Sequence, residues 1–397
     1  MRPPKELVRQ LVAPPYDVVS AEEARAYARG NPLSFFRISR PEVDFPPGTD
    51  EHADAVYLHG RKSLEVFLQE GWLRRDEEPC FYLYRQRMGA HVQTGVVASV
   101  SVAEYDAQLI KKHELTRADK EHDRTRHVDT LGGNDEPVFL VCRSFSALES
   151  LMEEGTRGAP EYDFVTEDGI GHTFWVVRGA LNASLEEAFR SVPALYIADG
   201  HHRSAAASRV HAMRRQRGEG GTHDRFLGVV FPHHQLRILD YNRVVKDLHG
   251  LTPEELLRRL SHPFEVVRGT QKQPDRAHRF GMYLGREHWY QLTAKPELLA
   301  RMPEGSMDVT LLQQHVLEPL LGIGDPRKDT RIHFVGGIRG MGELERLVDG
   351  GDWAVAFSLH PTSLEQLMAI SDEGGIMPPK STWFEPKLRS GLVLHLF

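Results

Sequence analysis

The stretch Ala194-Leu-Tyr-Ile-Ala-Asp-Gly-His-His-Arg-Ser-Ala-Ala-Ala-Ser-Arg-Val210 carries the most chemistry per residue in this chain. Its apolar start reads as a buried strand, and Asp199-Gly200 as a turn straight into a helix beginning near His201. A helix start presents backbone N–H groups and the positive end of its dipole, which together make an anion site. Gly200 lets a ligand approach the backbone closely. His201, His202 and Arg203 add side-chain donors in the same turn, with Ser204 just behind. Phosphate is the ligand this pattern points to. The plainer reading makes Asp199 an N-cap and the two histidines a solvated first turn. An acid, a glycine and three consecutive cationic-capable residues exceed what a cap needs.

A second polar cluster covers residues 111–126. Thr116 followed by Asp119 resembles a capping box with Asp in place of Glu, so a helix is expected over residues 117–130. It has almost no apolar stripe, and its alternating charges suit a solvated, salt-bridged face as well as a functional one. His113-Glu114 stands just before it, where a carboxylate can point at a ligand. Glu114 is the best base candidate outside the Asp199 turn.

Three more segments are too specific for plain loops. Ala13-Pro-Pro-Tyr-Asp-Val-Val19 couples rigid prolines to Tyr16 and Asp17, and Asn31-Pro-Leu-Ser-Phe-Phe-Arg37 follows closely. Met377-Pro-Pro-Lys-Ser-Thr-Trp-Phe-Glu-Pro-Lys387 sets a lysine, two hydroxyls and aromatics between prolines. Lys380-Ser381-Thr382 is like the end of a P-loop, yet the preceding glycines are missing, so this is no Walker A motif. A nucleotide-contacting loop and a packing tail both remain open for it.

The elements that must position these residues are mixed α and β throughout. Helices are expected over residues 22–29 and 54–70, then paired strands over 80–85 and 92–102 around Gly89. Further strands fall at 137–142, 173–177, 195–198 and 226–231, with a surface loop at 214–224. A second region starts near Leu251, where Thr252 and Pro253 open a helix as N-cap and first residue. Strands at 280–284 and 288–292, a helix at 309–321 and a strand at 353–359 follow. The expected architecture is a core over residues 1–250 and a smaller C-terminal α/β lobe over 251–397.

Composition bounds the function. The 397 residues are 40% hydrophobic and 26% charged, ordinary for a soluble globular protein. A net charge of −7 argues against a DNA-coating surface, which needs clustered Lys and Arg. Two cysteines, Cys80 and Cys142, exclude a disulfide framework and point to a reduced, cytoplasmic setting. No signal peptide or 18-residue apolar run is visible, so no membrane is expected as a partner. The pairs His201-His202 and His233-His234 could suggest a transition metal, but 21 histidines make chance pairs common.

These motifs resemble a bacterial and archaeal family catalogued as domain of unknown function one thousand and fifteen. Its five elements match here as Pro15-Tyr-Asp-Val18, Asn31-Pro-Leu-Ser-Phe35, His113-Glu-Leu-Thr116, Ala198-Asp-Gly-His-His-Arg203 and Pro378-Pro-Lys-Ser-Thr-Trp-Phe-Glu-Pro-Lys387. The Asp-Gly-His-His-Arg turn is also similar to the signature of the ParB/sulfiredoxin superfamily, above all its free-serine kinases, which pair that turn with an upstream His-Glu. The resemblance implies a ParB/sulfiredoxin-like core with insertions. It implies Glu114 as general base on the acceptor hydroxyl, Asp199 as a second catalytic acid, and His202 among the catalytic groups at the phosphates. Gly200, His201, Arg203 and Ser204 would serve phosphate or nucleotide, as would Lys380, Ser381 and Thr382. Tyr16, Asp17, His113 and Thr116 would face the substrate. Two departures stand out: the long gap between Glu114 and Asp199 implies an insertion, and sulfiredoxin's cysteine is absent from the turn.

The expectation is a phosphotransferase using ATP or ADP on a small hydroxylated metabolite, free L-serine first, with Mg²⁺ assumed from phosphoryl-transfer chemistry. A ParB-like nucleotide switch would need a helix-turn-helix and a basic face, and the acidic balance counts against nucleic acid as a partner. A non-catalytic metabolite-binding protein is the other alternative.

Overall fold

Two runs rich in β-branched and aromatic residues flank Gly89, and they fold into a hairpin of β1 (Tyr82–Met88) and β2 (His91–Ser101). The register runs from Tyr82 opposite Val97 to Met88 opposite His91. The structure is a computed structural model and describes residues 1–269, 271–303 and 305–397. Around the hairpin stand β3 (Ile110–Lys111), β5 (Val138–Cys142), β6 (Tyr162–Val165), β7 (Gly171–Val176), β8 (Leu195–Asp199) and β9 (Arg225–Pro232), while β4 (Gly133–Asn134) lies apart. They form an eight-stranded sheet in the order β3-β8-β5-β9-β2-β1-β7-β6. Most neighbours are antiparallel, but β3 runs parallel to β8 and β5 parallel to β9. Leu83, Val96, Leu140, Ile197 and Val230 meet in one buried cluster on this sheet. The chain is therefore mixed α/β.

The helix Ala118–Leu131 begins one residue later than expected, and Arg117 rather than Thr116 precedes it, with no side-chain cap. The Thr116 hydroxyl instead donates to the Glu121 carboxylate. This helix packs on His201–Gln216, the helix that follows β8, which extends into the loop expected from residue 214. Its polar residues do not form a merely solvated face. Glu121 and Asp123 are buried. Glu121 is paired with Arg209, and Asp123 accepts from Tyr57 Oη at 2.6 Å and pairs with Arg124 at 2.8 Å. Buried carboxylates need such partners, so the charge pattern encodes ties between helices.

A second compact unit covers Arg237–Glu385, and the first comprises Met1–Leu236 with Pro386–Phe397. The second contains β10 (Arg237–Leu239), β11 (Tyr241–Val245), β12 (Phe264–Arg268), β13 (Arg279–Tyr283), β14 (Trp289–Ala294), β15 (Ile332–Gly336), β16 (Val355–Leu359) and β17 (Trp383–Glu385). Six of these make an antiparallel sheet in the order β12-β14-β13-β16-β11-β15. The helix Pro253–Leu260 carries a full capping box from Thr252 and Glu255. The helix expected over residues 309–321 is α-helical only at Asp308–Leu312 and continues as a π turn, Gln313–Leu317.

These unit boundaries differ from the expected break near residue 250 and the C-terminal lobe running to 397. The reason is non-local pairing. β11 bonds to β15 and β16, about ninety residues or more downstream, and β10 pairs with β17. The last residues leave the second unit: β18 (His395–Leu396) pairs with β4 in the first. Among the described residues, no helix is long and apolar enough to cross a membrane.

The sheet interior is tightly filled at Gly95 on β2. A Cβ there would stand 2.8 Å from Val229 Cγ1 and 2.9 Å from the Phe231 ring. Gly95→Ala should cost about 1–3 kcal/mol through overpacking. A lower urea midpoint with an unchanged m-value is the expected readout, and an unshifted midpoint would show that the sheet relaxes freely there.

Candidate functional site

The parallel pairing of β3 with β8 brings two distant motifs together. Ile110 lies opposite Leu195 and Lys111 opposite Tyr196, so both strands deliver their C-terminal ends to the same edge of the sheet. His113 and Glu114, just past β3, thereby arrive beside the turn that follows Asp199. The His113 and His201 rings meet edge to face with centroids 4.4 Å apart, and the His113 backbone N–H donates to His201 Nε2 at 3.4 Å. A Glu114 carboxylate oxygen and one ring nitrogen from each of these histidines lie within 4.8 Å of one another.

Both imidazoles are held neutral. Burial pushes His113 down to about 4, against the opposite pull of Asp199 and of the Ile197 carbonyl. His201 falls well below the usual imidazole range, first by burial and then by its neighbour His113. At this site His201 is therefore a neutral imidazole rather than a cation. His202 is also lowered, by burial first, and its Nε2 accepts the Arg117 backbone N–H at 3.1 Å. Ser204 is fully buried, and its hydroxyl donates to the Gly200 carbonyl at 3.2 Å, so it is turned into the helix.

Asp199 is not the N-cap. Gly200 occupies that position in the left-handed region, with φ of 101°, and the helix has no side-chain cap. This is a conformation glycine adopts at little cost. The Asp199 carboxylate instead accepts from Lys387 Nζ at 2.8 Å, and Arg203 Nη2 lies 3.9 Å away. Burial opposes its ionisation, yet the Lys387 ammonium and the Arg203 guanidinium hold its carboxyl well below the usual carboxylate range. Asp17 approaches Arg203 from another side at 3.7 Å, and the guanidinium donates to the Pro137 carbonyl.

Antiparallel β5 starts where β8 ends, with Phe139 opposite Asp199, and so carries Asp135 and Glu136 to the same edge. Glu136 Oε1 accepts from the Tyr16 backbone N–H at 3.0 Å and from Ser390 Oγ at 2.7 Å, while its Oε2 is buried without a hydrogen-bond partner. Burial pushes Glu136 up to about 7; Arg203 opposes this, and Asp135 and Asp17 add to it. Tyr16 lies beneath Arg124, with the guanidinium 4.2 Å from its ring centroid.

The site thus joins Tyr16, Asp17, His113, Glu114, Asp199, Gly200, His201 and Arg203 on one edge of the first unit, with His202 in the same helical turn. Lys380, Ser381 and Thr382 belong to the second unit. Sequence reasoning missed Lys387, Glu136 and Ser390. Lys387 closes the same proline-bounded motif that supplied Lys380, and the acid pair before Pro137 was the available signal for Glu136. The trio His113, Glu114 and His201 could hold a metal ion, and its two nitrogens suit a transition metal better than Mg²⁺, which takes oxygen ligands.

Two outcomes test these electrostatics. Lys387→Met should cost about 1–3 kcal/mol by stranding a partly buried carboxylate and raise the Asp199 titration midpoint; an unmoved midpoint in a carboxyl NMR titration would refute the pairing. Glu136 favours its proton in the folded chain, so the folded state holds a proton that the unfolded state sheds from about 4.5 upward. Its contribution is fully present below that pH and is lost as pH rises towards 7. Glu136→Gln should gain stability relative to wild type across that window and show a constant difference above it. A difference independent of pH in parallel melts would contradict the assignment.

No curated protein matches this chain. Similar solved structures include a free serine kinase in complex with AMP, at a TM-score of 0.36 and 13% identity, covering 72% of this chain and 86% of that one. Another is SbnI with C-terminal truncation from Staphylococcus aureus, at a TM-score of 0.41 and 11% identity, covering 74% and 85%. A conserved hypothetical protein from Pyrococcus furiosus has a TM-score of 0.34 and 15% identity, covering 72% and 90%. The family described as Protein of unknown function (DUF1015) matches residues 1–314, which is 79% of the chain, and the chain belongs to that family.

Proposed function

We propose that the chain is a nucleotide-dependent phosphotransferase acting on a small hydroxylated metabolite, with free serine as the first acceptor to test. The observation that carries this reading is the placement of the Glu114 carboxylate within 4.8 Å of the His113 and His201 nitrogens. That places it beside a helix that starts at a left-handed glycine. Phosphoryl transfer requires positioning, charge stabilisation and a base for the attacking hydroxyl rather than covalent chemistry by the protein.

In this reading Glu114 accepts the hydroxyl proton, and neither neutral imidazole adds a positive charge that would lower its basicity. The backbone N–H groups after Gly200 receive phosphate oxygens. Asp199 stays ionised at neutral pH and, like Asp17, offers the oxygen ligands that Mg²⁺ prefers. Asp199 would hold the ion together with the nucleotide's phosphates, and the ion supplies charge neutralisation there. Arg203 and Lys387 act on position, by fixing the carboxylates. ATP and ADP are both candidate donors.

Glu114→Gln keeps size and one acceptor oxygen but cannot take a proton at neutral pH. Turnover should fall ~10²–10⁴-fold with KM nearly unchanged. The assay uses purified protein, Mg²⁺, ATP or ADP and a panel of hydroxylated amino acids, with product detected by mass. Full activity of the variant would remove Glu114 from the base role. Absence of any phosphorylated product across the panel would turn the reading towards a binding protein.

A further inference from the structure

Arg243 lies on β11 in the second unit, with Phe334 of β15 and Phe357 of β16 as its cross-strand neighbours. It is only 3% exposed. Its guanidinium donates to the Tyr241 carbonyl and, at 2.9 Å, to the Lys380 carbonyl, and it lies 5.3 Å from the centre of the Phe334 ring. Among the described residues, no carboxylate is within ion-pair distance of it. Two neutral carbonyls satisfy two of its five N–H groups and leave its charge uncompensated. Burial accordingly pulls it down to about 10. A buried cation kept without a counter-ion is costly to the fold.

Arg243 lines a cavity of about 360 Å³, a size typical of small-ligand sites. The walls include Val309, Leu317, Phe334, Pro378 and Pro379, all apolar. Asp325 and Arg327 also line it, but they hold each other at 3.0 and 3.1 Å and so cancel. The cavity keeps one unbalanced positive charge. Its construction is specific: the π turn Gln313–Leu317 lets Gln313 Nε2 bond the Ile323 and Gly324 carbonyls at 2.6 and 3.2 Å, which fixes the wall on that side. Turns of this kind recur at functional sites. On the other side Lys380 takes a left-handed φ of 60°, unusual for a side-chain-bearing residue, and so turns its carbonyl to Arg243. The Ser381 hydroxyl secures that turn by donating to the Pro378 carbonyl at 2.6 Å. The Pro-Pro-Lys-Ser-Thr motif that resembled the end of a P-loop thus builds one side of this cavity.

We propose that the cavity binds a small organic anion, one carboxylate or phosphate group joined to an apolar body. The head group pairs with Arg243, and the body lies along Phe334, Leu317 and the two prolines. This site is independent of the phosphotransferase reading.

The test is a titration of the full chain with benzoate, phenyl phosphate and the neutral isostere benzamide, followed by amide NMR at Gly324 and Phe334. Benzoate or phenyl phosphate should shift these resonances saturably, and the tighter of the two identifies the head group. Benzamide should bind at least ~10-fold more weakly, since a charge-assisted pair is lost. Arg243→Gln should weaken the anion by at least ~10-fold as well. Because that buried variant can fail to fold, Val309→Phe, which fills the cavity, provides a second check and should abolish the shifts. No saturable shift with either anion up to ~10 mM, equal binding of benzamide, or undiminished binding to folded Val309→Phe would overturn the proposal.

Discussion

The placement of carboxylates around Arg203 governs the rest of the first unit. Asp17, Asp199 and Glu136 all interact with this guanidinium and come from an N-terminal loop, the end of β8 and the start of β5. Gathering acids at the edge of a packed sheet is unfavourable unless cations and hydrogen bonds accompany them. Lys387 takes one oxygen of Asp199, while Ser390 and the Tyr16 backbone satisfy one oxygen of Glu136. Both Lys387 and Ser390 belong to the tail Pro386–Phe397, and Ser390 also bridges to Ala13. The return of the tail to the first unit follows from this charge requirement as much as from the apolar contacts of Leu394.

Short-range signals were legible in the sequence where one element decides its own form. The hairpin around Gly89, the strand ending at Asp199, the helix after it and the Thr252 capping box all follow from local propensity and turn chemistry. The meeting of His113 and Glu114 with the Asp199 turn was legible only through family resemblance. Its physical cause is a two-residue parallel pairing between β3 and β8, separated by more than eighty residues, and no local pattern encodes it. The unit boundary near 236 was hidden for the same reason, since β11 finds its partners far downstream.

Where local rules misled, a longer-range interaction had displaced the local one. Asp199 has the composition of an N-cap, but Lys387 gives it a charged partner, and Gly200 takes the cap position instead. Thr116 and Asp119 have the spacing of a capping box, but Glu121 accepts the Thr116 hydroxyl and moves the helix start forward. Lys380 and Lys387 stand in one motif. Lys387 bonds Asp199 within the first unit, whereas Lys380 belongs to the second, the motif passing from one unit to the other at Pro386.

The same charge accounting separates the two candidate sites chemically. Arg203 stands between Asp17 and Asp199 and donates to Pro137 O, so its charge is already partly matched within the fold. An anion arriving at the Gly200 turn would therefore rest on backbone N–H groups and on a cation that comes with it, as a metal-bound nucleotide does. Arg243 is the converse case: among the described residues no carboxylate pairs with its charge, and it lines a largely apolar cavity. An acid at the first site must bring its own counter-charge, whereas one at the second would complete a charge that the fold leaves unbalanced. On the proposed function, the first arrangement would suit a substrate whose phosphate must leave again, because its binding would be divided among backbone donors and a labile ion. The proposed anion at the second would be held longer, because it would also relieve the cost of burying the guanidinium.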